Sequence, residues 1–400
     1  MPPPPAHFAE VNAFRLGQII ARCMIVAGLA TLDTGAAQPA AASRSEMPDG
    51  LYAEFTTPRG VIVAGLFYQK TPLTVTNFVG LAEGTLGPAP GKPFFDGLTF
   101  HRVVPNFVIQ GGDPKGTGEG GPGYSFPDEF APGRHHDDAG VLAMANDGPD
   151  TNGCQFFFTL REVNRLNYLH TVFGRVARGL EALPRVQAGD KMQVKILRIG
   201  AAARAFRADQ AAFDALAAKT PKYTGRPEPG PEAHFDDPDH LLPAEPPRAK
   251  NFNFKLANFE RATGIKIAAR VFAHSPPPAE DARPGAHMHA LAEKLGTARR
   301  GVLAAYFADE DDWRVWIGDD LVSGFLGRPA KPEDLGEDQA LHQVKQVFLE
   351  AVQARAKDAT AFVQKTFNSD QPLTAAQKLK LEVDEMLDGL IFRFEPKSVP

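Results

Sequence analysis

Residues 100–113 read FHRVVPNFVIQGGD, and this stretch decides the fold of the first half of the chain. It is an apolar, strand-like run that one histidine, one arginine and one glutamine interrupt. A guanidinium buried without a partner is costly, so Arg102 must either pair internally or face a groove and handle a ligand. Residues 141–159, VLAMANDGPDTNGCQFFFT, have the same character, with apolar strands around a polar, glycine-rich turn. Both stretches predict strands that border a polar surface.

The segments around these stretches predict a β-rich domain. LYAEFTT and GVIVAGLFY flank a turn at residues 58–60, which is the pattern of a hairpin. Residues 71–83 predict a helix, with Thr71 as its cap and Pro72 at its first position. Further short strands, separated by glycine and proline, run to residue 200. Many short strands with few helices favour a closed barrel.

The two quoted stretches, together with LNYLHTVFG at residues 166–174, resemble the cyclophilin family of peptidyl-prolyl cis-trans isomerases in order and spacing. The resemblance implies a closed antiparallel barrel over residues 46–200, capped by helices, with a binding groove on its outer wall. It also implies isomerisation of X-Pro bonds in extended or unfolded polypeptides, in support of protein folding.

An X-Pro bond isomerises through a twisted state, and the barrier is about 18–20 kcal/mol. A donor aimed at the prolyl nitrogen stabilises that state more than either planar state, so no nucleophile, metal or cofactor is needed. The resemblance assigns the donor to Arg102. It places the remaining substrate contacts at Phe107, Val108, Gln110, Ala145, Asn146, Gln155, Phe157, Leu166 and His170.

Within this set the resemblance divides the roles. Phe107, Val108, Phe157, Leu166 and His170 would hold the prolyl ring, while Gln110 would bond the substrate backbone and the arginine. Ala145 and Asn146 would pair with the peptide that precedes proline, and Gln155 would form the groove wall. Phe156 and Phe158 alternate with Phe157 and are expected to face the barrel core.

One residue departs from the family pattern. Arg165 stands where many eukaryotic cyclophilins carry tryptophan, which implies weak binding of cyclosporin. A binding module that holds proline peptides without turnover is the alternative from another class. The intact set around Arg102 argues against that alternative.

The second half of the chain predicts a separate α/β domain. Residues 201–219 are alanine-rich and helical, and residues 220–250 form a proline-rich stretch that is typical of a linker. ERATGIKIAARVF and RGVLAAYFADEDDWRVWIGDDLVSGFLG then resemble the TPM domain family over about residues 251–327. Two amphipathic helices complete residues 251–400. We expect this domain to dock a membrane-proximal protein partner, and we expect residues 45–205 alone to keep full turnover on short peptides.

Several patterns point to other activities. Gly116, Gly118 and Gly121 spell GxGxxG, but no helix can start at the Pro-Gly that follows, so a rim loop is expected rather than a nucleotide site. Residues 135–138, HHDD, are expected to form a solvated loop without a metal. The acidic turn at residues 309–312 leaves metal binding or phosphatase activity of the TPM-like domain open as the main activity.

The chain ends and its charge bear on location and partners. Its 400 residues carry a net charge of −5 and lack a clustered basic stripe, which argues against nucleic acid as a partner. Arg15 and Arg22 precede the apolar run CMIVAGLATL and an alanine-rich tail, the order of a secretory signal peptide. Residues 1–45 therefore predict export to a bacterial periplasm, or a cytoplasmic protein if the leader is not cleaved.

Overall fold

An eight-stranded antiparallel sheet dominates the first half of the protein. In the computed structural model its order is β3-β4-β6-β5-β7-β2-β1-β8. The strands are β1 (Gly50–Thr57), β2 (Gly60–Leu66), β3 (Arg102–Val104), β4 (Val108–Gly111), β5 (Val141–Met144), β6 (Phe156–Thr159), β7 (Val172–Arg178) and β8 (Gln193–Ile199). The described residues are 47–243, 248–281, 283, 285–335, 339–367 and 371–397, so the predicted leader lies outside them.

The antiparallel sheet curls into a half-barrel, as the curled architecture of the prediction requires, and full closure of the barrel stays a prediction. Its two end strands, β3 and β8, do not pair within the described ranges. The segments that precede them are linked by a bridge between Thr99 and Lys191 and by backbone hydrogen bonds on either side of it, among them those from Gly97 N–H to Met192 O and from Met192 N–H to Leu98 O, both at 2.9 Å.

The concave core of this sheet is aromatic. Phe156 and Phe158 are fully buried in it, while Phe157 belongs to a separate cluster on the other face, as the alternation predicts. Helix α1 (Pro72–Glu83) also packs into this core, with Pro72 at its start. Thr71 precedes the helix, but its side chain makes no capping bond; its hydroxyl donates to the carbonyl of Phe67 instead, at 3.3 Å.

Two short helices follow β8, where the sequence predicts a continuous one. They are α2 (Ala201–Ala205) and α3 (Gln210–Ala217). The break has a local cause: Asp209 is extended, and its carboxylate accepts a bond from the backbone N–H of Ala212 at 3.0 Å. A new helix therefore begins at this cap.

A second, four-stranded sheet lies in the other half, with the order β12-β11-β10-β9. Strand β9 pairs with β10 and β10 pairs with β11 in parallel, while β11 and β12 form a hairpin. The strands are β9 (Phe235–Asp236), β10 (Lys266–Phe272), β11 (Gly301–Phe307) and β12 (Asp312–Ile317). The helices around them are α4 (Arg248–Thr263), α5 (Ala286–Lys294), α6 (Val322–Leu326), α7 (Gln339–Phe367) and α8 (Ala375–Phe394).

Part of the predicted linker belongs to this second sheet. Strand β9 lies within it, and Phe235 is fully buried against Phe252 of α4, with ring centroids 5.1 Å apart. The prediction of an unstructured segment missed this strand because two residues carry no periodic signal. Residues 47–400 form one compact unit. None of the helices in the described ranges is long and apolar enough to cross a membrane.

Candidate active site

Three neighbouring strands place the key side chains in one row. Arg102 of β3 lies opposite Gln110 of β4, and Gln110 lies opposite Phe157 of β6. Phe157 in turn lies opposite Ala143 of β5. Directly opposed residues of antiparallel strands point to the same face, so the row follows from register alone. That face is the outer wall of the half-barrel, opposite the aromatic core.

A chain of hydrogen bonds orders the polar end of this row. One guanidinium nitrogen of Arg102 donates to Gln110 Oε1 at 3.3 Å, and Gln110 Nε2 donates to Gln155 Oε1 at 3.0 Å. Gln155 Nε2 donates to the carbonyls of Gly118 and Gly120 at 2.8 and 2.9 Å. These bonds fix the orientation of both amides. Because the bond to Gln110 uses only one of its five N–H donors, the exposed Arg102 keeps donors for a ligand.

An apolar hollow adjoins the polar end. Phe157 and Val108 are buried in one cluster, and Phe107, Leu166 and Ala145 pack against it. Such a surface suits the ring of a proline, which presents only CH₂ groups. The guanidinium carbon of Arg165 lies 4.6 Å from the centroid of the Phe107 ring, so the residue that replaces tryptophan stacks on the hollow.

His170 completes the hollow as a neutral ring. It packs edge-on against Phe157, with centroids 5.5 Å apart. Burial lowers the pKa of His170 to about 4. Its Nδ1 lies 3.0 Å from the carbonyl oxygen of Met144, which can only accept, so Nδ1 carries the proton.

The polar loop at residues 135–138 is only partly solvated, which corrects the prediction. His136 is fully buried and stacks on Phe157 at 5.7 Å, and burial lowers its pKa to about 3. It bonds Asn167 Oδ1 through its Nδ1, at 3.0 Å. His136 therefore supports the hollow from behind. The alternation of side chains along the neighbouring strands does not predict this contact between His136 and Phe157.

Asn146 connects the end of β5 to the segment that carries His170. Its Nδ2 donates to the carbonyl of Leu169 at 2.9 Å and to Asp128 Oδ1 at 3.3 Å. The backbone N–H of Ala145, next to it, donates to Gln155 O at 3.0 Å. A cavity of about 280 Å³ opens here, lined by Gln110, Ala145, Asn146 and Gln155 among others. The structure thus brings all ten predicted site residues onto one continuous surface.

A buried carboxylate beneath Asn146 escaped the sequence reasoning. Asp128 accepts bonds from Asn152 Nδ2 and from the N–H of Asp150, both at 2.8 Å. Burial raises the pKa of Asp128 to about 6, against the pull of these bonds and of the Arg261 charge. Arg261 belongs to α4, with one nitrogen 2.9 Å from Asp150 and another 3.7 Å from Asp128. No sequence pattern signals a contact between residues this far apart.

The glycine-rich loop is a rim of the groove, as predicted. Asp113 holds it through bonds from the N–H groups of Lys115 and Thr117, both at 2.8 Å. The loop forms no helix, and its carbonyls at Gly118 and Gly120 accept from Gln155. It therefore offers no helix N-terminus to a phosphate.

The acidic turn between β11 and β12 uses its carboxylates internally. Asp309 accepts a bond from the N–H of Ser275 at 2.9 Å, and Asp311 accepts one from the hydroxyl of Tyr306 at 2.6 Å. Glu310 pairs with Arg314 at 2.7 Å. In the part of the chain that the structure describes, no group of three or more histidine, cysteine or acidic residues is placed to hold a metal ion.

The groove, with a cation beside an apolar hollow, is that of a class of proteins that bind proline-containing peptides. Comparison with known proteins agrees: the family model for cyclophilin type peptidyl-prolyl cis-trans isomerase/CLD matches residues 52–201. Peptidyl-prolyl cis-trans isomerase A of Mycobacterium tuberculosis is 53% identical over 131 residues, which cover 31% of this chain and 72% of that protein. Human peptidyl-prolyl cis-trans isomerase-like 1 is 44% identical over 145 residues, covering 36% and 81%.

The chain belongs to the cyclophilin-type peptidyl-prolyl cis-trans isomerases, and its enzyme class is that of the family. A Cryptosporidium parvum cyclophilin type isomerase, solved in the presence of the dipeptide Ala-Pro, is 29% identical and aligns with a TM-score of 0.33. That match covers 38% of this chain and 99% of the other. The family match ends at residue 201, so residues 202–400 lie outside it.

Proposed function

We propose that the enzyme isomerises X-Pro bonds in extended or unfolded client polypeptides, with Arg102 as the donor to the prolyl nitrogen. The main observation in support of this proposal is that Arg102, Gln110 and Phe157 are aligned on one face of the half-barrel. This alignment places the guanidinium of Arg102 next to the apolar hollow. A peptide whose prolyl ring fills the hollow presents its prolyl nitrogen to the guanidinium.

Catalysis follows from what changes as the bond twists. The planar amide nitrogen has no lone pair to offer, whereas the twisted nitrogen regains one and accepts a hydrogen bond. Arg102 is already oriented by Gln110, so little reorganisation is needed at that moment. The neutral, buried His170 and the ring of Phe157 hold the proline while the preceding residue rotates.

Replacement of the donor tests this proposal. Removing one preorganised donor costs about 100- to 1000-fold in rate, so Arg102→Ala should lose about that factor in kcat/KM on an Ala-Pro tetrapeptide. Arg299→Ala is the matched control, because the Arg299 side chain is 84% exposed and lies in the other half of the chain. Wild-type turnover that survives in Arg102→Ala would remove this residue from the mechanism.

Export is part of the proposal. The leader pattern at residues 1–45 supports it, and Cys154 is compatible with an oxidising compartment. That thiol is buried, and burial raises its pKa to about 12, which keeps it unreactive. N-terminal sequencing of the protein from its native cell should find a start between about residues 37 and 43. An intact first methionine on cytoplasmic material would contradict it.

We also propose that residues 251–327 form a TPM-like domain that docks a membrane-proximal partner. The order of α4, β10, α5 and the β11–β12 hairpin supports the resemblance. Capture of a membrane-associated protein by the full chain, lost when the exposed tip of this hairpin is replaced by Asn-Gly, would support the docking role. Equal capture by both proteins would exclude the tip.

A further inference from the structure

The turn that carries Phe107 is held by two successive residues of a neighbouring segment. It begins at Val104, whose carbonyl accepts from the backbone N–H of Phe107 at 3.1 Å. The N–H of Leu160 donates to the carbonyl of Phe107 at 2.8 Å, and Arg161 Nε donates to the carbonyl of Asn106 at 2.8 Å. The first bond joins two backbones, so its formation does not depend on the side chain at position 160. The second bond depends on the side chain of Arg161.

The carbonyl that Arg161 binds belongs to a residue that needs support. Asn106 has a left-handed backbone (φ 56°), which asparagine tolerates but which persists only where the surroundings hold it. Phe107 follows directly, and its ring packs against the buried cluster of the prolyl hollow. A change of backbone conformation at Asn106 therefore displaces the ring of Phe107. The bond from Arg161 controls the position of one wall of the hollow.

The second half of the chain holds Arg161 in turn. Its guanidinium carbon lies 4.0 Å from the centroid of the Phe362 ring, near the C-terminal end of α7. The face of an aromatic ring attracts a guanidinium at this distance. Asn258 of α4 holds the other end of the same segment, because its Nδ2 donates to the carbonyl of Tyr168 at 2.8 Å. Both Phe362 and Asn258 lie beyond residue 201, where the family match ends.

We propose that Arg161 is a positioning residue of the isomerase, which aligns Phe107 with the prolyl ring, and that Phe362 of α7 keeps Arg161 in place. The inference rests on the proposed function, in which Phe107 contacts the proline. Arg161 acts through the turn and not by contact with the substrate. Phe107 contacts the prolyl ring in the planar and the twisted state alike, so its displacement weakens the binding of both states. Loss of Arg161 should therefore raise KM and leave kcat nearly unchanged.

Separate measurement of kcat and KM tests the proposal with the full chain and an Ala-Pro tetrapeptide. Arg161→Ala removes the bond to Asn106 and should raise KM about three- to tenfold, the effect of one hydrogen bond. Phe362→Leu removes the aromatic face but keeps an apolar side chain, and should raise KM about two- to fivefold. In both variants kcat should stay within a factor of two of wild type. An unchanged KM in Arg161→Ala, or a fall in kcat as large as the rise in KM, would overturn the proposal.

Further variants separate positioning from stability. Both side chains are half-buried, and the melting temperature of each variant is measured beside its KM. A lower melting temperature with an unchanged KM would mean a merely structural contact and would overturn the proposal. Phe362→Tyr keeps the aromatic face and should restore the wild-type KM. The double variant Arg161→Ala/Phe362→Leu should have the KM of Arg161→Ala alone, because Phe362 acts only through Arg161; multiplied effects would contradict that order.

A matched control breaks a similar stack away from the groove. The guanidinium carbon of Arg314 lies 4.8 Å from the centroid of the Phe307 ring in the second sheet, so Arg314→Ala should leave KM unchanged. Absence of turnover in the wild type would refute the proposed function instead. In that event, calorimetry with a proline peptide still decides this inference: a three- to tenfold rise in Kd for Arg161→Ala supports it, and an unchanged Kd overturns it.

Discussion

The two halves of this protein are held together by different chemistry. In the catalytic half, Phe156 is a hub whose ring centroid lies 5.5 Å from that of Phe55 and 5.6 Å from that of Phe78. In the other half, the core contains an ion pair: Lys255 of α4 lies 2.5 Å from Asp388 of α8, with side chains 1% and 5% exposed. An aromatic core is insensitive to ionisation, whereas a buried ion pair fails if either partner is lost.

The halves meet behind the prolyl hollow. Tyr168 lies between Leu166 and His170 in the chain, yet its ring packs in the core of the second half, 5.2 Å from Phe259. It adopts a left-handed backbone (φ 59°), which is uncommon for a bulky residue and requires support from its surroundings. The second half therefore holds one wall of the active site, so the catalytic half depends on it for the shape of the groove.

Breaking the ion pair should have the largest effect. Lys255→Met leaves Asp388 buried and unpaired, and burial already raises the pKa of that carboxyl. The free energy of unfolding should fall by about 3–5 kcal/mol in urea denaturation. The double variant Lys255→Met/Asp388→Leu should recover most of the loss. A single variant as stable as wild type would show that the second half does not depend on this pair.

Removal of one hydroxyl at the junction should have a smaller effect. Tyr168 donates to Glu395, whose other oxygen lies 2.8 Å from His135 Nε2. Burial alone would raise the pKa of Glu395, but these two contacts hold it below its usual value. The stabilisation is therefore present above about pH 4.5 and is lost as the pH falls through the lowered pKa. Tyr168→Phe should cost about 1.5–3 kcal/mol at pH 7.

Measuring the stability of Tyr168→Phe at several pH values provides the control. Its deficit relative to wild type should shrink at acidic pH, where Glu395 is protonated in both proteins. A deficit that stays constant from pH 7 to pH 3 would mean that the hydroxyl acts through packing and not through the carboxylate.

The smallest expected effect concerns Arg261 and the pH profile of activity. Protonation of Asp128, with its pKa of about 6, weakens the bonds that hold Asn146 and Asp150, so kcat/KM should fall below about pH 6. Arg261 favours the ionised form, so Arg261→Leu raises this pKa further. The acid limb should then move to higher pH by several tenths of a unit. If Arg261→Leu and wild type show the same midpoint in the pH profile of kcat/KM, then the charge of Arg261 on α4 has no effect on the groove.

Through the same carboxylate of Asp128, the stability of the fold should depend on pH in the opposite direction to activity. Because the pKa of Asp128 is raised in the folded state, its neutral form favours folding at low pH. That contribution is present below about pH 4 and is lost as the pH rises through about 6. Activity and stability should therefore change in opposite directions over this range, which separates a positioning role from a purely structural one.

The sequence predicts the groove better than it predicts the surroundings of the groove. Arg102, Gln110 and Phe157 lie within strands whose alternation dictates their face, so their alignment could be expected from the residues alone. The contacts of Tyr168 and Arg261 depend on how residues about a hundred positions apart meet. Neither periodicity nor composition carries that information. The short strand β9 was missed for a related reason, since its partner strand defines it.

The sequence is equally uninformative about whether the two halves can be separated without loss of activity. A proline-rich segment predicts independent domains, and the sequence alone leads to full turnover for residues 45–205. The contacts of Tyr168, Asn258 and Arg261 lead us to a different expectation. Without the second half, Tyr168 loses the core that supports its left-handed backbone, and Asp128 loses its cation. The wall that carries Leu166 and His170 should then relax.

Comparison of kcat/KM for the full chain and for residues 47–205, on one Ala-Pro tetrapeptide at pH 7.5, tests this dependence most directly. Circular dichroism establishes that the shorter protein is folded before the rates are compared. The account predicts a loss of about tenfold, which corresponds to about 1.4 kcal/mol of transition-state stabilisation. Equal turnover by a folded fragment would contradict it and would show that the second half only accompanies the enzyme.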